Sequence, residues 1–315
     1  MRSLAHSCAM KFEWEVRKEE ETMLKYYLGQ KGISKRLLAK IKFQGGELRV
    51  NGKNVNVLVF LKAGDRVEVR LPDEKSNPYL TPSEVPLDIL FEDEHFLVVN
   101  KPAGVAAVPS ATHKEETMAN RVKGYAKRKG KMETMVHVVT RLDRDTSGAM
   151  IFAKHTFAHA QLDQQLRKKT MEKRYLAVVE GKMDGDLHGI INAPIARTED
   201  SIITRRVHPT GKSAFTEYFV KSHTQTHTIV EVLLHTGRTH QIRVHFSHIG
   251  HPLLGDELYG GMCQDKMTRQ ALHCSFVSFD HPFNEKEISV HAPLPNDLKN
   301  WLKQLDEKER IEALK

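Results

Sequence analysis

Val138-Val139-Thr140-Arg141-Leu142-Asp143-Arg144-Asp145-Thr146-Ser147-Gly148 places two carboxylates and two guanidiniums between two apolar runs. Before it, Met135, Val136, Val138 and Val139 predict a β-branched strand; after it, Ala149-Met150-Ile151-Phe152-Ala153 predicts another. Asp145-Thr146-Ser147-Gly148 has the composition of a tight turn, in which a polar side chain bonds the backbone and glycine is free to take positive φ. A charged loop is thereby held at a sheet edge by its own flanks. Taken alone it reads equally as a solvated hairpin turn or as a reactive site.

Working outward, Ile89-Leu90-Phe91 and Phe96 to Asn100 predict a hairpin that runs into Lys101-Pro102-Ala103-Gly104, a bend that presents Lys101 at a strand end. Arg121 to Lys131 holds six basic residues and no acid, with Gly124 and Gly130 interrupting any helix, so a mobile basic loop is expected. His159 to Lys169 has helical spacing, and Lys173 to Gly181 predicts a buried strand with Tyr175 at its entry. A tyrosine there, read alone, is a core residue with a paired hydroxyl. Gly211 to Tyr218 and Thr228 to Leu234 predict further strands. They precede His235-Thr236-Gly237-Arg238-Thr239-His240-Gln241-Ile242-Arg243-Val244-His245, where Thr239 is expected to cap a helix that projects Arg243 from its first turn. His235, His240, His245, His248 and His251 match no zinc spacing, so no metal is expected. Ala271 to His273 and Ile288 to Val290 predict the last strands, and Asp297 to Leu314 an amphipathic closing helix.

Upstream, Glu21 to Ile41 carries two helical stripes broken at Gly32, with Ser34 as an N-cap. Glu47 to Lys53 predicts a strand entering an Asn-Gly turn, and Val55 to Leu61 and Asp65 to Leu71 predict further strands. Residues 1–20 read as a leader. Four prolines between Leu71 and Pro86 mark a flexible connector, which divides the chain into units at 21–72 and 87–315.

The formal charge is +8, and 16 Lys and Arg face 10 Asp and Glu in the first 75 residues, so six of the eight excess charges lie in the first quarter. That favours a polyanionic partner. Three cysteines without paired spacing argue for a reducing compartment. No apolar run reaches the length of a signal peptide core or a membrane span. A cytoplasmic monomer is expected.

Two resemblances sharpen this. Gly32-Ile33-Ser34-Lys35-Arg36, Val50-Asn51-Gly52-Lys53 and Leu61-Lys62-Ala63-Gly64-Asp65 resemble an S4 domain, which implies RNA binding through Lys35, Arg36 and Lys40 on the second helix. Asn100 to Gly104, Arg141 to Gly148, Lys173 to Ala177, and Thr236 to His245 followed by Gly255-Asp256 are similar, in that order, to the RluA/RluD family of RNA pseudouridine synthases. The fold implied is α+β: a small S4-like N-terminal domain and a large catalytic domain with a mixed, mostly antiparallel sheet flanked by helices.

The family's reaction breaks the N1 bond of a uridine to its ribose, turns the uracil and joins C5 to the same carbon. No group enters or leaves, and no cofactor is implied. The resemblance makes Asp143 the catalytic carboxylate, with its charge maintained by Arg243. Asp145 is the competing acid, ranked lower because its place suits a turn-former. Arg141 is implied to fill the stack left by a flipped base, Tyr175 to pack on the uracil and assist proton removal at C5, and Ile242 to floor the pocket. Lys101 is counted among the RNA contacts. The expected substrate is ribosomal RNA, or transfer RNA. Many members have histidine where this chain has Thr140, which puts any RNA contact made there in doubt. The alternatives are a non-catalytic RNA-binding or ribosome-assembly protein on the same fold, and a glycosidase or nucleosidase using two carboxylates, which needs a second acid across the pocket.

Overall fold

The computed structural model describes residues 10–130, 135–264 and 267–313, with side chains described up to residue 305. The N-terminal unit contains β1 (Lys11–Glu15), α1 (Leu24–Gln30), α2 (Lys35–Phe43), β2 (Glu47–Val50), β3 (Lys53–Asn54) and β4 (Arg66–Arg70). Its strands form one antiparallel sheet in the order β1-β4-β2-β3. Ser34 caps α2 by accepting from Leu37 N–H at 3.1 Å, and Leu37 and Ile41 turn inward onto Leu28, Val67 and Val69. The expected leader is structural from Lys11 on, because Phe12 is buried at its centre and β1 completes the sheet edge against β4. Val55 to Leu61, expected as a strand, instead wraps the helices with an isolated bridge between Met23 and Phe60.

The larger unit contains β5 (Ile89–Glu92), β6 (Phe96–Lys101), α3 (Met118–Arg128), β7 (His137–Val138), β8 (Ser147–Ala153), α4 (Thr156–Lys168), β9 (Glu172–Glu180) and β10 (His188–Asn192). It continues through β11 (Ile195–Arg197), β12 (Arg205–Val207), β13 (Phe215–His223), β14 (His227–Leu234), α5 (Gln241–His248), β15 (Leu272–Asp280), β16 (Glu287–His291) and α6 (Asn296–Ala313). The main sheet runs β10-β13-β14-β9-β15-β8-β6-β5, with β16 added to β15 and β7 to β8. Every pairing in it is antiparallel except β15 with β8. This is the expected mixed α+β architecture. At the parallel seam Gly148 is obligatory: its φ is +116°, and a Cβ there would lie 2.2 Å from the Cys274 carbonyl oxygen. All seven residues of β8 are buried, which explains its unbroken apolar run.

The basic stretch from Arg121, expected as a mobile loop, is largely helix; Lys131 lies outside the described residues. Thr117 caps α3, and Gly124 serves packing, since a Cβ on it would come within 1.7 Å of the Ser83 carbonyl oxygen. That close approach ties down the connector, which is therefore not a free linker. Asn120 donates to Thr81 O at 2.8 Å, Arg128 to Ser83 O at 3.0 Å and Lys123 to Asn77 O at 2.6 Å. Glu74 accepts from Thr156 N–H at 2.7 Å and lies 2.5 Å from His137 Nε2. Phe12 packs edge-on against Phe157 and beside Phe283, so the N-terminal unit is seated on the larger one.

Burial pushes the Glu74 carboxyl up, but the bonds from His137 and Thr156 outweigh it and hold its pKa at about 2. A depressed carboxyl pKa stabilises the fold above the unfolded value and loses that contribution as pH falls through the folded one. Glu74→Gln is expected to cost about 1–2 kcal/mol at pH 7, after allowing for solvent screening, with the difference shrinking below about pH 4.5 and closed only below about pH 2. Urea denaturation of both proteins at the two ends of this range measures this; an equal gap at both would exclude the ionised pair as its source. Among the described residues, no helix is long and apolar enough to cross a membrane.

Candidate active site

Asp143 lies in the connection from β7 to β8, whose shape is held from beneath. Val139 and Thr140 N–H both reach Ile151 O, and Thr140 Oγ1 accepts from Ile151 N–H at 2.9 Å. Thr140 is thus turned into the sheet as a backbone surrogate. The turn itself runs Asp143 to Thr146, closed by Thr146 N–H to Asp143 O at 3.1 Å. Two cations grip it. Lys101 Nζ donates to the carbonyls of Pro102, Val105 and Arg144 at 2.9, 2.7 and 2.7 Å. Arg269, clamped by both oxygens of Asp297, donates to Asp145 O at 2.9 Å.

Lys101 therefore does not touch RNA; it is fully buried, and the expectation of an RNA contact there is corrected. A strand-end lysine read from sequence has no visible partner, because all three of its acceptors are backbone carbonyls. Burial pulls its pKa down to about 7, opposed chiefly by the charge of Asp143. Only the ammonium has a donor for each of three carbonyls, so this cage selects the protonated form.

The loop opens on a cleft of about 830 Å³. Across it stands α5, entered through His240, which occupies the N-cap position at φ +57°; the expected cap, Thr239, lies one residue too early. Arg243 projects from the first turn and donates to Asp143 Oδ2 at 3.3 Å. Its stronger commitment is to Asp256, whose two oxygens take Nε and Nη2 at 2.8 Å each. The guanidinium also lies over the Tyr259 ring, 4.9 Å from its centre. His240 Nε2 stands 4.0 Å from the same Asp143 oxygen, and its Nδ1 is 2.7 Å from the Tyr259 hydroxyl.

Tyr175 and Ile242 line the cleft beside Asp143, with Arg141 exposed at its edge. Burial first, then Cys274 and Asp143, push the Tyr175 phenol well above its usual range, so it is a neutral ring rather than a base in waiting. Asp145 does not line the cleft; its carboxylate takes a fork of bonds from the Arg144 guanidinium. The lining carries Arg141, Arg144, Arg167, Lys169, Lys173, Arg238 and Arg243 against Asp143 and Asp163, and Asp163 is already paired with Arg167. Such a surface draws in a phosphodiester backbone.

Residues 95–248 match the family model described as RNA pseudouridylate synthase. An RNA pseudouridine synthase of Bacillus subtilis (strain 168), YjbO, is 48% identical over 280 residues, 89% of this chain and 98% of that one. The chain belongs to the RNA pseudouridylate synthase family. A ribosomal large subunit pseudouridine synthase D of Xylella fastidiosa is 36% identical, covering 84% of this chain and 82% of its own length. The solved human RNA pseudouridylate synthase domain containing 1 superposes with a TM-score of 0.55 at 26% identity, over 66% of this chain and 84% of that one.

For an RNA pseudouridine synthase, the structure brings together Asp143, Arg243, Tyr175, Ile242 and Arg141, all named from sequence. It separates Lys35, Arg36 and Lys40, which lie on α2 of the N-terminal unit. Sequence reasoning gave no role to Asp256, Tyr259 and His240. The Gly255-Asp256 pair was visible as a motif, but a Gly-Asp turn has no composition that marks its carboxylate as an arginine clamp.

Proposed function

We propose that this isomerase acts on uridines of ribosomal RNA in the cytoplasm, with Asp143 as the reacting carboxylate. The observation that carries the reading is one geometric fact: Asp143 sits in a cationic cleft 3.3 Å from an arginine locked by a second, buried aspartate. A uridine inside a helix cannot reach it, so the base must be flipped out at a cost of a few kcal/mol. Arg141, exposed at the cleft edge, is suited to fill the vacated stack, and Tyr175 to face the flipped uracil with its neutral ring. Ile242, 4% exposed, closes the floor. Bond balance is internal: the N1–C1′ bond is exchanged for C5–C1′, and the proton lost from C5 matches one gained at N1.

The choice of ribosomal RNA is supported by the relatives named as large-subunit enzymes. The N-terminal unit is proposed as an S4-like RNA-binding module, supported by two helices on a small sheet with Lys35 and Arg36 exposed and Lys40 half-buried on α2. One copy suffices in this reading, since a single chain supplies every residue named in the cleft. The test uses ribosomal and transfer RNA from cells lacking the gene, incubated with the protein. Carbodiimide labelling and primer extension then locate new pseudouridines. New stops in large-subunit RNA are expected; conversion confined to transfer RNA would reassign the substrate.

A further inference from the structure

We infer that His240 is a second, uncharged hydrogen-bond donor to the Asp143 carboxylate, and that Tyr259 holds it in the one tautomer able to donate. The inference rests on Asp143 being the reacting group, as proposed above. It begins with a shortage. Arg243 gives its two short bonds to Asp256, leaving Asp143 one longer contact at 3.3 Å. His240 is the other cleft side chain facing that same oxygen, Oδ2, with Nε2 4.0 Å away.

The tautomer follows from the atoms behind the ring. Arg205 N–H can only donate, and it does so to the Tyr259 hydroxyl at 3.0 Å. Among the described residues that hydroxyl has one acceptor for its own proton, His240 Nδ1 at 2.7 Å. A proton received at Nδ1 leaves the imidazole hydrogen on Nε2, aimed at Asp143. The opposite tautomer would turn a lone pair toward a carboxylate and strand the tyrosine proton. Burial keeps the imidazole pKa below its ordinary value against the pull of Asp143, so the ring is neutral at pH 7. At 4.0 Å the contact is not yet a hydrogen bond. Catalytic contacts of this kind tighten when substrate is bound. With Arg243 on Oδ2 and His240 closing on the same atom, the other oxygen of Asp143 is left for the nucleotide. A neutral donor fixes that orientation without adding another full counter-charge.

The experiment compares turnover on ribosomal RNA by the full chain carrying His240→Leu, His240→Gln, Tyr259→Phe, or Tyr259→Phe with His240→Gln. His240→Leu is expected to lower kcat by about 10- to 100-fold with KM for RNA little changed, somewhat less than loss of a preorganised oxyanion donor costs. Glutamine carries an amide N–H near the position of Nε2, so His240→Gln is expected to restore all but a few-fold of kcat. Tyr259→Phe keeps the ring beneath Arg243. It is expected to lower kcat several-fold when His240 is intact, yet to change nothing further when combined with His240→Gln, because an amide donor needs no tautomer lock. Three results overturn the inference: His240→Leu at parental kcat, His240→Gln as damaging as His240→Leu, or Tyr259→Phe equally costly in both backgrounds. Asp143→Asn made in parallel separates the layers. Surviving turnover in that variant removes the reading of Asp143 itself, whereas an inactive Asp143→Asn beside an undisturbed His240→Leu removes only the role of the histidine.

Discussion

Asp143→Asn is expected to lower pseudouridine formation by about 10³-fold or more, the scale seen when a reacting side chain is removed, while RNA affinity and thermal stability stay near those of the parent. The substitution preserves shape and deletes one charge. Its local cost is small because the Asp143 side chain is 27% exposed and makes a single bond to Arg243, which remains anchored by Asp256. Carbodiimide primer extension reads turnover, filter binding reads affinity, and a thermal melt reads the fold. Asp145→Asn is the internal comparison. Its carboxylate is forked onto the neighbouring Arg144 outside the cleft, so a loss of no more than a few-fold is expected. Should the Asp145→Asn protein be inactive and the Asp143→Asn protein active, the reacting group is the turn residue after all.

What made the loop legible was the cost of placing charge beside buried strands. Residues 138–148 stood out because charges flanked by apolar runs commit the loop to a sheet edge, whereas Asp143, Tyr175 and Arg243 were singled out only by the resemblance of their motifs to the RluA/RluD family. The sheet was legible from its apolar runs: β6, β8, β9 and β14 all fall where period and composition agree. The illegible parts share a different physics. Lys101 is held by carbonyl oxygens, which every residue carries, so its burial leaves no trace in residue types. Gly124 reads as a helix breaker because glycine costs a helix roughly 1 kcal/mol, yet α3 needs it where the helix meets Ser83. The prolines before Pro86 read as slack, whereas Glu74, Thr81 and Ser83 are each tied to the larger unit by side chains far away in sequence, those of His137, Asn120 and Arg128. Asp256 and Tyr259 are legible only once α5 has been placed, since their partners lie 13 to 19 residues earlier on that helix and its cap.

The division of Arg243 between two aspartates predicts that its structural duty and the catalytic one proposed for it can be pulled apart. Arg243→Met leaves the Asp256 carboxylate, 1% exposed, without its only charged partner among the described residues. Stranding one member of a buried pair costs about 3–5 kcal/mol, a large share of the roughly 5–15 kcal/mol that holds a domain folded. Asp256→Leu added to Arg243→Met removes the stranded charge and fills its space with an apolar side chain, and replacements of that kind are often neutral or stabilising. Most of the lost stability should therefore return in the double variant, measured by urea denaturation. Turnover should not return, because Asp143 still lacks the guanidinium that donates to it at 3.3 Å. If the double variant stayed as unstable as the single one, Arg243 would be holding the fold through something other than Asp256, with the contact to the Tyr259 ring the first place to look. Recovered activity alongside recovered stability would be the graver result, for it would mean that the pairing of Arg243 with Asp143 has no part in the chemistry.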